Sequence, residues 1–261
     1  MTVPLPAPAP TMDAAITAYR SYVSGKLHTL TGQVLALKAS IGNNDLDTAR
    51  RQWLDAQLTW QRVGAAYGSF GELGTAINGL PSGLPKGVAD PAFTGLHRIE
   101  YGLHHGQGPA ELTAVAAKLH ADVTALHKQL PELEIAGMDM PLRCHEILED
   151  SLRDNLSGNN DQGSGMALAL TSADLDGTRV ALALMTTLVD RLAPGYTAKV
   201  SATLDRFGHS LSRTRTQGGT TAGDWPTWGS LPLAGRQPVT GSLGAALEAL
   251  AYIPALFSTD D

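Results

Sequence analysis

Residues 46–67 read LDTARRQWLDAQLTWQRVGAAY, and in them Leu46, Ala49, Trp53, Ala56, Trp60, Val63 and Tyr67 recur at alternating steps of three and four. That period belongs to an α-helix burying one stripe against a partner helix. Upstream, Ile16, Tyr19, Val23, Leu27, Leu30, Val34 and Leu37 trace a similar stripe over about Met12 to Leu37. Thr11 is placed to cap its start, and Gly42-Asn43-Asn44 to stop it. The turn between the two stripes is short, so an antiparallel helix hairpin is expected.

Reading downstream, residues 68–95 lose all periodicity. Seven glycines (68, 71, 74, 79, 83, 87, 95) and three prolines (81, 85, 91) predict a long loop, and a loop of that length in a compact domain is either functional or disordered. A short helix follows in TGLHRIEYGLHHG, then helices over about Pro109 to Leu130, Pro141 to Leu156, Ala173 to Leu192, Thr197 to Leu211 and Ser242 to Phe257. The run VALALMTTLV in the sixth helix is apolar nearly all round and marks a central, buried element. Residues 214–240 are rich in Gly, Thr and Pro and carry Trp225 and Trp228. No alternating strand pattern of useful length occurs. The expectation is an all-α chain whose eight helices suit two fused four-helix bundles over residues 12–258, divided at roughly 131–140.

Composition narrows the function classes. With 43% hydrophobic and 17% charged residues among 261, burial can offset chain entropy. A net charge of −6 argues against nucleic acid as a main partner, because phosphate binding needs clustered Lys and Arg. Cys144 is the single cysteine, so neither an internal disulfide nor a thiolate-rich metal site can be built. Any metal must be held by imidazole, carboxylate, carbonyl, phenolate or water. No run of about 18 apolar residues predicts a membrane span. MTVPLPAPAP has neither a basic nor an apolar signal region, and its prolines at 4, 6, 8 and 10 predict an extended linker or tail over residues 1–11.

The strongest chemical constellation is His97-Arg98-Ile99-Glu100. Residues three and four apart share a helix face, so His97, Glu100, Tyr101 and His104 project from one side of two turns. Leu96, Ile99 and Leu103 form the neighbouring apolar stripe, which sets the polar cluster at the border of the core. A His/Glu pair there is a ready set of metal donors; the plain alternative is a polar face with a His–Glu hydrogen bond. In the second half, His145 and Glu149 are expected on the core side of their helix, either pairing with each other or facing the first cluster as ligands. Asp174 and Asp176 read as N-terminal caps of the sixth helix. His120 and His127 flank an apolar stripe and read as helix-surface histidines, His28, His105 and His209 stand alone, and Cys144 reads as a small buried hydrophobe. There is no H-E-x-x-H helix, G-x-S-x-G elbow, P-loop or dinucleotide fingerprint.

PAFTGLHRIEYGLHHG, with its Gly-x-His-x-x-Glu core, resembles the imelysin-like family, which includes the EfeO-type iron-uptake proteins. DLDTARRQWLDAQLTWQRVGAAYGSFG, CHEILEDSLRDNLSGNNDQGSG and SADLDGTRVALALM are similar to further pieces of that family in the same order. The resemblance implies two four-helix bundles and a metal site using His97 and Glu100, with Glu72, Tyr101, His104, His145 and Glu149 as candidates to complete it. It implies iron as cargo, Fe2+ or Fe3+, with zinc and copper as alternatives. It also implies a periplasmic or extracellular role in the cell envelope, beside an iron permease and a haem peroxidase. The chain departs from the pattern where Gly64, Gly74 and Asn78 stand in place of acids, and where the stretch after the fifth helix is thinned to Asn159, Asn160 and Asp161. The family has also been labelled a metallopeptidase group, and a module with a vestigial metal site that docks a partner through Trp225 and Trp228 is a third reading.

Overall fold

The computed structural model describes residues 3–215 and 222–258, without the side chains of Ala65, Tyr67 and Ala222. Tyr67, the last position of the expected stripe, and residues 216–221 of the Gly/Thr/Pro-rich stretch therefore lie outside what is described. Nine α-helices run through the described residues, with no strand among them: α1 (Met12–Gly42), α2 (Leu46–Gln61), α3 (Gly71–Asn78), α4 (Gly95–His104), α5 (Pro109–Gln129), α6 (Asp139–Asp150), α7 (Ala167–Leu192), α8 (Tyr196–Ser212) and α9 (Leu233–Phe257). The fold is all-α.

The opening hairpin forms for the reasons its sequence gives. Thr11 Oγ1 accepts from the Ala14 N–H at 3.2 Å, and Asp45 caps α2 by accepting from Thr48 N–H at 3.1 Å, each satisfying a donor the helix leaves open. Tyr19, Val23, Leu27, Leu30, Val34 and Leu37 of α1 are buried, as are Ala49, Trp53, Ala56 and Trp60 of α2. α1 packs along α2 and α5, and α4 lies on α2 and α5 with the short α3 beside it. In the second half α6 packs on α7 and α9, and α8 on α7 and α9; α7 also touches α1 and α2.

Four boundaries differ from the expectation. The second helix stops at Gln61 and continues as a tighter 3₁₀ coil over Gly64–Ser69. A side chain at Gly64 would stand 2.8 Å from Ile147 Cγ1, so close packing against α6 decides the path there. The expected loop of residues 68–95 contains α3, whose glycines hide it from pattern reading; contacts with α4 and α5 stabilise what local propensity would not. α7 begins at Ala167, earlier than Ala173, so Asp174 and Asp176 lie in the helix interior and cap nothing. α9 begins at Leu233 and passes through Pro238, whose missing N–H removes one hydrogen bond while Val239, Leu243, Ala246, Leu250 and Ile253 bury the helix in the fold. By length and mean hydropathy α9 is also the one described helix that could cross a membrane.

α1 is tied to the far end of α5 by Arg20, whose Nη1 donates to the carbonyls of Leu130, Pro131 and Leu133 at 2.6, 3.1 and 2.7 Å. A cation there meets the negative end of the α5 dipole and the carbonyls that the helix leaves open. Arg20→Ala is expected to lower the unfolding free energy by about 2 kcal/mol, as hydrogen bonds to a charged group do. Urea denaturation reads this directly; an unchanged midpoint would mean that water replaces the guanidinium without loss.

Candidate functional site

α4 is held in place at both ends by α2. At its first turn the Trp53 indole Nε1–H donates to Leu96 O at 2.9 Å. At its last turn Arg50 donates through Nε and Nη2 to Leu103 O at 3.1 and 2.9 Å. Leu96, Ile99 and Leu103 are fully buried beneath it. Its first residue, Gly95, has φ +80° and sits so close to the end of α3 that a Cβ would lie 2.2 Å from Ile77 O. Only glycine fits both the dihedral and the space, which is why a glycine precedes the His97 turn.

His97 and Glu100 are each 1% exposed. His97 Nδ1 and Glu100 Oε2 are 3.0 Å apart; a carboxylate only accepts, so Nδ1 carries the proton and, in the neutral ring, the lone pair stands on Nε2. The other carboxylate oxygen, Oε1, accepts from Gln162 N–H, Ser164 N–H and Ser164 Oγ–H at 3.0, 3.3 and 2.6 Å. Glu100 thus ties the loop between α6 and α7 onto α4 and fixes the His97 ring. Asp161 braces the same loop by accepting from the N–H groups of Gly163 and Gly165 at 2.9 and 3.0 Å. Burial would raise its carboxyl, but these backbone donors outweigh it and the group is held below its ordinary range.

α6 does not end cleanly. One π-helical turn over Ser151–Asn155 follows it, and such extra-residue turns re-aim side chains. Here they aim at α7: Ser151 Oγ and Asn155 Nδ2 donate to Asp174 Oδ2 at 2.6 and 2.7 Å. Asp174 is fully enclosed, and burial pushes its carboxyl up to about 8 although both donors pull the other way. Burial likewise raises Asp150, against the pull of Arg153. Arg153 Nη2 lies 2.7 Å from Asp150 Oδ1 and 2.8 Å from Asp154 Oδ2.

These elements enclose a cavity of about 190 Å³ lined by Gln61, Asn78, Leu80, His97, Ile147, Asp150, Asp154, Asn155, Asn160 and Asp174. Its wall carries one imidazole, three carboxyl groups and several amides. Asn160 donates to Asn155 Oδ1 at 2.5 Å, while its own Oδ1 is buried without a hydrogen-bond partner. A buried, unpartnered acceptor beside carboxyl groups is short of a donor or a cation. Among the described residues, no three His, Cys, Asp or Glu side chains converge closely enough to hold one ion together.

The other expected donors are elsewhere. Glu72 is exposed in the first turn of α3. Tyr101 leans away from the His97 cavity, stacked on His105 at 4.1 Å and edge-on to Phe93 at 6.5 Å. The His104 ring lies 6.0 Å from that of Trp53, and burial holds it below its ordinary value while Glu100 pulls upward. His145 and Glu149 pair at 3.4 Å with side chains 25% and 52% exposed, so they face outward and not toward the core. None of these five lines the cavity that His97 lines.

A family model described as imelysin matches residues 15–224. The chain belongs to the imelysin family. It is 25% identical over 249 residues to the iron uptake system component EfeO of Escherichia coli (strain K12) and of Shigella flexneri. The protein of the same name from Escherichia coli O1:K1 / APEC is 24% identical over 249 residues. Each of these alignments covers 95% of this chain and 65% of the relative, so the chain spans about 65% of the length of the relatives it matches.

Sequence reasoning places His97 and Glu100 together on this imelysin helix but misses Asp150, Asp154 and Asp174 as neighbours of His97. Asp150 closes α6 and Asp154 lies within the π turn that follows, which the straight-helix spacing of 3.6 cannot foresee. Asp174 is hidden because Ala167–Thr171 is excellent helix former that continues the helix upstream of the expected cap.

Proposed function

We propose that this imelysin-family chain is the iron-binding component of a cell-envelope iron-uptake system, holding the ion in the cavity behind His97 and passing it to a membrane permease that works beside a haem peroxidase. The observation that carries this reading is the set of oxygen donors on that cavity: three carboxyl groups, two of them sharing Arg153, and the unpartnered Asn160 Oδ1, with a nearly buried imidazole among them. That its relatives are iron uptake system components supports iron as the cargo. Oxygen-rich donors with one nitrogen suit ferrous or ferric iron better than a soft ion.

In this reading His97 supplies Nε2 as a ligand. Glu100 acts through it, since both carboxylate oxygens are already engaged; orienting partners of this kind set ligand geometry and affinity. Asp150, Asp154 and Asp174 supply oxygens. They are not gathered around one point, so the ion draws them together from the end of α6, the π turn and α7 as it enters.

Iron titration into the full chain, followed by equilibrium dialysis and metal analysis, tests the assignment. One ion per chain is expected. Asp154→Asn, which removes a part-exposed carboxylate and leaves the core alone, should weaken binding by about tenfold or more, equivalent to about 1.4 kcal/mol. His97→Ala should weaken it further. Absence of saturable binding, or equal affinity in both variants and the parent chain, overturns the reading.

A further inference from the structure

A larger cavity, about 700 Å³, opens on another face between α2, α7, α8 and the turn that carries Trp225. Its volume lies in the range of small-molecule sites. Leu58, Leu175 and Trp225 are buried and give it an apolar floor. Two ion pairs cross its wall: Arg62 Nε to Asp176 Oδ2 at 3.0 Å and Arg179 Nη1 to Asp205 Oδ1 at 2.7 Å. Each neutralises itself.

Arg215 is different. Its guanidinium carbon stacks 4.4 Å over the Trp225 ring centroid, and no carboxylate of the described residues pairs with it. The lining therefore holds three guanidinium groups against two carboxylates, a surplus of one positive charge in a chain whose net charge is −6. A guanidinium held over an aromatic face can still offer its N–H edge, donating two parallel hydrogen bonds to a planar anion.

We propose that this cavity is a binding site for a small organic monocarboxylate with an apolar body, its carboxylate on Arg215 and its hydrocarbon on Trp225, Leu58 and Leu175. The apolar floor supplies area to bury, and the single uncompensated guanidinium sets the preferred charge at one. A dianion would have to break the Arg62–Asp176 or Arg179–Asp205 pair to find a second partner. The site is independent of the cavity behind His97 and stands or falls separately from the iron reading.

Isothermal titration calorimetry of the full chain with 4-phenylbutyrate, and with the neutral 4-phenylbutanol as its isostere, tests the proposal. One equivalent of the acid should bind, with a change in tryptophan fluorescence, and the alcohol should bind about tenfold more weakly or worse. Arg215→Gln should cost the acid at least about tenfold and leave the alcohol unchanged, while Arg215→Lys should recover part, because charge without the planar fork is a poorer match. Circular dichroism melting checks that both variants fold, and Trp225→Phe provides a second, independent route to the same loss of affinity. Lack of saturable binding, equal affinity for acid and alcohol, or indifference to Arg215→Gln overturns it.

Discussion

Glu100→Ala is expected to lower the unfolding free energy by about 3–5 kcal/mol, the usual consequence of removing one partner from a buried charged network. The carboxylate is 1% exposed and serves four donors at once: His97 Nδ1, Gln162 N–H, Ser164 N–H and Ser164 Oγ–H. Alanine leaves all four without this acceptor, His97 in a buried site and the loop donors in a part-buried one, and each unsatisfied group adds its desolvation cost. The loss should also be local. Hydrogen exchange of the Gln162 and Ser164 amides should accelerate far more than that of α1 or α8, because the loop between α6 and α7 loses its tie to α4. Glu100→Gln keeps the shape and one acceptor oxygen and should recover roughly half of the stability. A change below about 1 kcal/mol on Glu100→Ala, with unchanged exchange at Gln162 and Ser164, would show that the loop is held by other means.

How much of this was legible in the sequence depends on which force decides each element. Where a single amphipathic stripe is buried, as in α1, α2 and α5, residue spacing alone places the helix and its core face. Where tertiary contact outweighs local preference, spacing fails. α3 is the clearest case: Gly71 and Gly74 are poor helix formers, yet Ile77 is buried against neighbouring helices and the segment folds. The candidate site divides in the same way. His97 and Glu100 share one helical face, and local geometry suffices to pair them. The acids near His97 come from the end of α6, the π turn after it and the interior of α7, so their arrival depends on how two halves of the chain pack. His145 and Glu149 show the converse, since a helical face that looks core-ward by its own leucines ends half exposed once α6 settles between α7 and α9.

The pH dependence of stability follows from the same packing, and Asp174 dominates it. Its carboxyl stands at about 8 in the folded chain against an ordinary 3.8. The folded state therefore holds this proton more tightly than the unfolded state, and the stability it contributes is fully present below about pH 4 and lost as pH rises toward 8. A displacement of that size corresponds to a loss on the order of several kcal/mol across the window. Asp150, Asp176 and Asp55 are raised by burial as well and act with the same sign. His104, held low by burial, acts in the opposite direction: its folded form resists protonation, so it destabilises the chain as pH falls through the ordinary histidine range. Asp174→Asn removes the largest of these contributions while leaving an oxygen for Ser151 Oγ and Asn155 Nδ2 to address. The variant should match or fall slightly below the parent chain at pH 5 and exceed it clearly at pH 8, and thermal melts at closely spaced pH values should show the parent's downward slope flattened. If instead the two chains lose stability in parallel between pH 5 and 8, Asp174 is ionised in the folded state, and Ser151 with Asn155 already stabilises the anion.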